Sequence, residues 1–149
     1  MKNNAFIIII GESTGLQCLK NIIKNNLLKI SHVISVDEKY NKIIKNICKI
    51  NKISFNNAKQ FKKDPSVIKF EKKHKYLLIS IFSNLILSNR FLKNFKKKAY
   101  NFHPGLLPFY PGKNCVSGAL YNQEKYTGVT LHCINDKIDQ GKIIIQKKN

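Results

Sequence analysis

The chain has no tryptophan, one methionine, one arginine (Arg90) among its 27 basic residues, and only eight acidic side chains. Its longest uninterrupted apolar run covers residues 5–10, far too short to cross a bilayer. The opening Met1-Lys2-Asn3-Asn4 lacks the apolar core and small-residue cleavage site of a secretory signal, so a cytoplasmic protein is expected. The four cysteines, Cys18, Cys48, Cys115 and Cys133, form no CxxC pair and show none of the close Cys or His spacing of a zinc site. They read as small buried hydrophobes, and no metal is expected. The scarcity of arginine bears on the formal charge of +19. Basic faces attract phosphate, but phosphate and base recognition favour the planar arginine fork over lysine. Lysine, asparagine and isoleucine make up 66 of the 149 residues, the bias of an AT-rich coding sequence. The charge is therefore read as a solvated surface, and specific nucleic-acid binding is not the expected role.

What is present is a 43% hydrophobic composition, enough for a real core in a single domain spanning residues 1–149. Residues 5–10 form a β-rich run with no polar alternation, as in a strand buried on both faces. "GESTG" then leads into "LQCLKNIIKNNLL", where Leu16, Leu19, Ile22 and Ile23 recur at helical spacing. A second strand is expected over residues 30–36 and a second helix over 39–50, with Ile43, Ile44 and Ile47 on its apolar side. No element is assigned to residues 52–75, where Pro65 interrupts any long helix. "YLLISIF", residues 76–82, is a further buried strand, followed by a short helix over 88–95 with Ser88 as its cap. A short strand over 98–102, a helix over 116–122 and strands over 128–134 and 142–146 complete the pattern. Alternating strands and helices define an α/β domain on a mostly parallel sheet, which binds ligands at the carboxyl ends of its strands.

Three of the four prolines and two glycines fall in "NFHPGLLPFYPG", residues 101–112. Proline fixes φ and glycine permits positive φ, so this is a loop held in one shape. Asn101 and His103, two apart at a strand end, can point the same way as the loop begins. Asp139 lies in a later "DQG" turn, and if that turn faces the same crevice, an amide, an imidazole and a carboxylate come within reach of one another. Such groups suit acyl transfer to an amine. The Asn101 amide, helped by protonated His103, stabilises negative charge growing on a carbonyl oxygen, while Asp139 holds the imidazole or routes a proton through water. His132 sits in an alternating strand and is read as structural; His32 and His74 carry no argument.

"NFHPGLLPFYPG" together with "GALYNQEKYTGVTLHCINDKIDQGKIIIQ" resembles the catalytic domain of the folate-dependent formyltransferases, which act on methionyl-tRNA, phosphoribosylglycinamide or sugar nucleotides. The matching positions are Asn101, His103, Pro104, Gly105, Leu106, Leu107, Pro108, Gly112, Gly128, Val129, Thr130, Asp139 and Gly141. The resemblance implies a three-layer Rossmann-like formyltransferase fold, 10-formyltetrahydrofolate as formyl donor, and Asn101, His103 and Asp139 as catalytic residues. It assigns the donor's pterin to Ser83, Asn84, Leu85, Ile86 and Leu87 and to Asn135, Asp136, Lys137 and Ile138. It assigns the amine acceptor to Gly11, Ser13, Thr14, Tyr110, Pro111, Gly112 and Lys113. It is compatible with a homodimer.

Departures narrow the acceptor. The methionyl-tRNA branch carries Arg before the loop glycine and a Trp-Ala pair in the next helix, whereas this chain has Pro111 and Gly118-Ala119. The glycinamide-ribotide branch cradles phosphate after the first strand, where this chain offers Ser13 and Thr14 but also the repelling Glu12. "NFHPGLLP" with "GVTLH" is closest to the sugar-nucleotide enzymes, so a small-molecule amine on a sugar nucleotide is the expected acceptor. The chain stops just after its last expected strand, where relatives continue, so a domain short at its C-terminus is expected. A phosphoribosylglycinamide or methionyl-tRNA formyltransferase-like enzyme, a truncated folate-binding relative without activity and a basic nucleic-acid-binding domain are the competing readings.

Overall fold

In the computed structural model, which describes residues 4–149, the first apolar run becomes strand β1 (Asn4–Ile10). Ile7, Ile8, Ile9 and Ile10 are all at most 1% exposed. Successive side chains of a strand point to opposite faces, so four buried isoleucines in a row require cover on both sides. The chain divides into two compact units, Met1–Ile86 and Leu87–Asn149.

In the first unit, β1 pairs in parallel with β2 (Ile30–Ser35) on one side and β4 (Lys75–Ile81) on the other. Strand β3 (Ser54–Asn57) adds in parallel to β2, giving the order β3-β2-β1-β4. The order reverses between β1 and β4, the position at which parallel α/β sheets open a ligand crevice beyond the strand ends. Two non-glycine residues there have left-handed backbone, Glu12 at φ 56 and Phe82 at φ 50. Helix α1 (Glu12–Lys24) buries Gly15, Leu16 and Leu19. It begins earlier and ends earlier than the apolar spacing suggests: Asn25 bonds back to the Asn21 carbonyl, Asn26 turns to φ 49, and Leu27 is left exposed. Helix α2 (Asn41–Ile50) buries Ile44 and Cys48, with Ile47 half-buried and Ile43 exposed, so the apolar stripe is one position narrower than expected. The region left without an element contains β3 and helix α3 (Ala58–Lys63), whose start is fixed by a capping box between Asn57 and Gln60.

The second unit opens with helix α4 (Asn89–Leu92), capped by the Ser88 hydroxyl on the Phe91 N–H as expected and extended by a 3-10 turn. Strand β5 (Ala99–His103) pairs antiparallel with β6 (Gly128–Cys133), and β6 antiparallel with β7 (Ile143–Lys148). Helix α5 (Cys115–Tyr121) lies between β5 and β6 in sequence. The parallel arrangement expected from the apolar strands thus holds in the first unit, while the second is antiparallel. The signal was present in β6, where Gly128, Thr130 and His132 are buried and the residues between them only partly so. Among the described residues no helix is long and apolar enough to cross a membrane. Cys48 and Cys115 are buried and Cys18 and Cys133 half-buried, and none of the four is in a disulfide. Burial pushes Cys48 up to about 11, in keeping with an inert packing role.

Candidate active site

Strand β5 delivers Asn101 and His103 to one end of the second unit, and its register with β6 sets Asn101 opposite His132 and His103 opposite Thr130. Thr130 holds the loop that follows. Its hydroxyl donates to the Gly105 carbonyl at 2.6 Å and accepts from the Leu107 N–H at 3.1 Å. Gln146 on β7 adds a bond to the Leu107 carbonyl at 2.7 Å and one to the Thr130 hydroxyl at 2.9 Å. This buried, fully used hydroxyl clamps the Pro-Gly-Leu-Leu segment onto the strands.

Asp139 enters from the turn between β6 and β7 with φ 52, a left-handed conformation that Asp tolerates better than most residues. A Cβ at Gly141 would overlap the Cys133 carbonyl, so only glycine lets the turn close this tightly. The carboxylate, 13% exposed, sits between two imidazoles: Oδ2 is 3.3 Å from His103 Nδ1 and Oδ1 is 3.3 Å from His132 Nε2. Oδ2 also accepts from the Gly112 N–H at 2.8 Å. Burial alone would push this carboxyl up. The His132 hydrogen bond, the Gly112 N–H and the charges of His103 and His132 outweigh it and hold the group below the ordinary carboxylate value.

The other nitrogen of each ring faces a main-chain carbonyl, His103 Nε2 the Tyr110 oxygen at 2.6 Å and His132 Nδ1 the Cys133 oxygen at 2.9 Å. Carbonyls and carboxylates only accept, so a proton on either nitrogen of these rings has a partner, and the two rings share the one carboxylate. The Asn101 amide follows the His132 tautomer. Its Nδ2 lies 3.2 Å from His132 Nε2, while its Oδ1 is buried without a hydrogen-bond partner. With a proton on Nε2, an amide nitrogen there sets donor against donor. Half a turn of the amide lets Oδ1 accept from His132 and aims an unshared N–H pair where Oδ1 stood. In that arrangement Asn101 is a donor beside an imidazole–carboxylate–imidazole array, in which His103 and His132 are at most 3% exposed. Such a donor suits a carbonyl oxygen that gains charge, and the array suits holding or moving a proton.

The expected Asn101, His103 and Asp139 therefore gather in one cluster, with His132 as the missing link from Asn101 to Asp139. His132, read as structural, is part of this cluster. Tyr110 and Gly112 are there too, through main-chain groups that bond His103 and Asp139, while Pro111 and Lys113 are exposed beside them. Asn135, Asp136, Lys137 and Ile138 form the exposed approach to Asp139, turned by Asn135 accepting from the Lys137 N–H at 3.0 Å. In the first unit, Gly11 is buried at the end of β1, its N–H donating to the Ile81 carbonyl at 3.0 Å, and Ser13 and Thr14 are exposed on the first turn of α1. Ser83 follows β4 and its hydroxyl accepts from the Leu85 N–H at 3.1 Å; Asn84 and Ile86 are exposed and Leu85 buried. Leu87, half-buried, begins the second unit. No group of metal-binding side chains is present among the described residues.

A family model described as formyl transferase matches residues 3–149. GDP-perosamine N-formyltransferase of Brucella melitensis is 38% identical over 72 residues, 48% of this chain and 28% of that protein. Phosphoribosylglycinamide formyltransferase of Escherichia coli is 38% identical over 63 residues, 42% of this chain and 30% of that protein. The matched stretch is thus less than a third of these relatives' length. The crystal structure of phosphoribosylglycinamide formyltransferase from Bacillus halodurans shares the fold, with a TM-score of 0.77 at 20% identity over 99% of this chain and 79% of that one.

Proposed function

The chain belongs to the formyl transferase family, and from that premise we propose that it transfers a formyl group from 10-formyltetrahydrofolate to a primary amine carried by an amino-sugar nucleotide. The observation that carries this reading is the buried Asn101 amide, one end on His132 and the other without a partner, joined through His132 to the Asp139 carboxylate that also meets His103. As the amine attacks the formyl carbon, charge grows on the formyl oxygen and the Asn101 N–H stabilises it. The amine sheds a proton as the new C–N bond forms. Asp139 and the two imidazoles take it up or pass it, directly or through water, to the departing folate nitrogen. No side-chain nucleophile is required.

Three observations favour a sugar nucleotide as acceptor. "NFHPGLLP" and "GVTLH" resemble that branch. GDP-perosamine N-formyltransferase is among the similar proteins. Glu12, the first residue of α1, already sets a carboxylate at the positive end of the helix, where it disfavours a phosphate monoester. We assign acceptor contacts to Tyr110, Pro111, Gly112 and Lys113, beside the imidazole–carboxylate cluster of the second unit. Pterin contacts are assigned to the segment 135–138, which leads into Asp139.

Purified protein supplied with 10-formyltetrahydrofolate and a panel of amino-sugar nucleotides, glycinamide ribotide and simple amines is expected to release tetrahydrofolate with a sugar nucleotide. Asn101→Ala is expected to slow that release at least about a hundredfold. Release of formate without any formylated amine, or undiminished turnover in Asn101→Ala, overturns the reading.

A further inference from the structure

The tightest contact on His103 comes from main chain, not from Asp139. The Tyr110 carbonyl is 2.6 Å from Nε2, while the carboxylate stands off at 3.3 Å from Nδ1. Charge-assisted N–H···O bonds settle near about 2.7–2.9 Å, so the Asp139 contact has slack and the carbonyl does most of the orienting. What keeps that carbonyl in place is then a question about residue 110.

Its side chain supplies the answer. The phenol donates to Glu124 Oε1 at 2.6 Å and accepts from Asn122 Nδ2 at 3.1 Å, and the ring edge lies over Gly118, where an added Cβ would come within 3.3 Å of it. Donating to a carboxylate also raises the phenol's pKa, as expected of a strong hydrogen bond. Both anchoring residues belong to the end of α5, which closes as a Schellman motif. The Glu124 N–H bonds the Ala119 carbonyl, the Gln123 N–H bonds the Leu120 carbonyl, and Gln123 turns to φ 52. The anchor is therefore tied to a helix end, while the carbonyl it controls lies in the prolyl loop.

We propose that Tyr110 is a positioning residue: its phenol, held by Glu124 and Asn122, fixes the main-chain carbonyl that orients His103 and so selects which ring nitrogen faces Asp139. The kinetic consequence rests on the formyl-transfer reading above, whereas the structural one does not. Freed of its anchor, residue 110 drifts, the Nε2 contact lengthens and the ring rotates out of line with the carboxylate.

The test measures ring-nitrogen chemical shifts of His103 by 15N NMR, together with kcat, KM and the kcat pH profile. The chains compared are wild type, Tyr110→Phe, Glu124→Ala, Glu124→Gln and the Tyr110→Phe/Glu124→Ala double variant. Tyr110→Phe and Glu124→Ala are each expected to move the Nε2 resonance and lower kcat about three- to tenfold at nearly constant KM. Glu124→Gln, whose amide oxygen still accepts the phenol proton, is expected to restore most of both, and the double variant to be no worse than either single one. Wild-type His103 shifts and an unchanged pH profile in Tyr110→Phe overturn the proposal. If wild type transfers no formyl group, the functional reading fails while the nitrogen shifts still decide the role of Tyr110.

Discussion

Replacing Asp139 with asparagine keeps the shape of the side chain and removes the charge shared by two imidazoles. Breaking a buried ion pair from one side costs about 3–5 kcal/mol. Here the two contacts are long, at 3.3 Å each, and the carboxylate is 13% exposed, so a loss of about 2–3 kcal/mol is the better figure. In a domain of this size that lowers the melting temperature by about 6–12 °C. The pH dependence supplies the sharper check. The folded carboxyl is held below its ordinary value, so its contribution is fully present above the unfolded value and disappears as pH falls through the folded one. Thermal melts of wild type and Asp139→Asn are expected to differ fully at pH 6 and to converge below about pH 4. In the formyl-transfer assay the same variant should lose about two to four orders of magnitude in kcat. Equal melting temperatures at pH 6, or a gap that persists undiminished at pH 3, would refute the shared-carboxylate account.

Thr130→Val preserves the branched shape of the side chain but strands the Leu107 N–H and the Gly105 carbonyl. Urea unfolding should show a loss of about 1–3 kcal/mol, and a midpoint unchanged from wild type would mean that the clamp is idle. His32, buried on β2 against Asn56, has its pKa pushed down by burial and only partly restored by that hydrogen bond. The folded state then resists protonation while the unfolded chain accepts it, so stability should decline as pH falls below about 6.5. His32→Gln should flatten the pH 7 to pH 5 difference in urea midpoint, and an unaltered slope would assign the loss to other groups.

The parts of the fold legible in the sequence are those whose burial is written in composition. Strand β1 is covered on both faces and appears as an unbroken apolar run, and β4 as one interrupted only by the buried Ser80. Strand β3, "SFNN", exists through backbone pairing with β2 and has one apolar residue, which leaves no periodicity to read. Asn101, His103 and Asp139 were legible because prolines and glycines mark the turns that carry them. His132 was not. In an alternating strand an inward position means core, and only the Asn101–His132 register turns it into part of the site. The one available hint was that Thr130 and His132 share a face, as do Asn101 and His103. The contribution of Tyr110 to His103 was invisible for a deeper reason: a main-chain carbonyl belongs to every residue, so no side-chain pattern announces it.

Strand β7 gives the lysine surplus a physical use. Ile143, Ile144 and Ile145 are consecutive and exposed at the outer end of their unit's strand order. Such an edge is a template on which another chain can pair. Lys142, Lys147 and Lys148 bracket it, and the whole chain carries +19. Two copies approaching edge to edge repel over roughly 10 Å at 0.1 M salt and over far less at 1 M. The protein's colloidal behaviour is thereby coupled to ionic strength. Self-association through this edge is therefore expected to be weaker in dilute buffer than in concentrated salt.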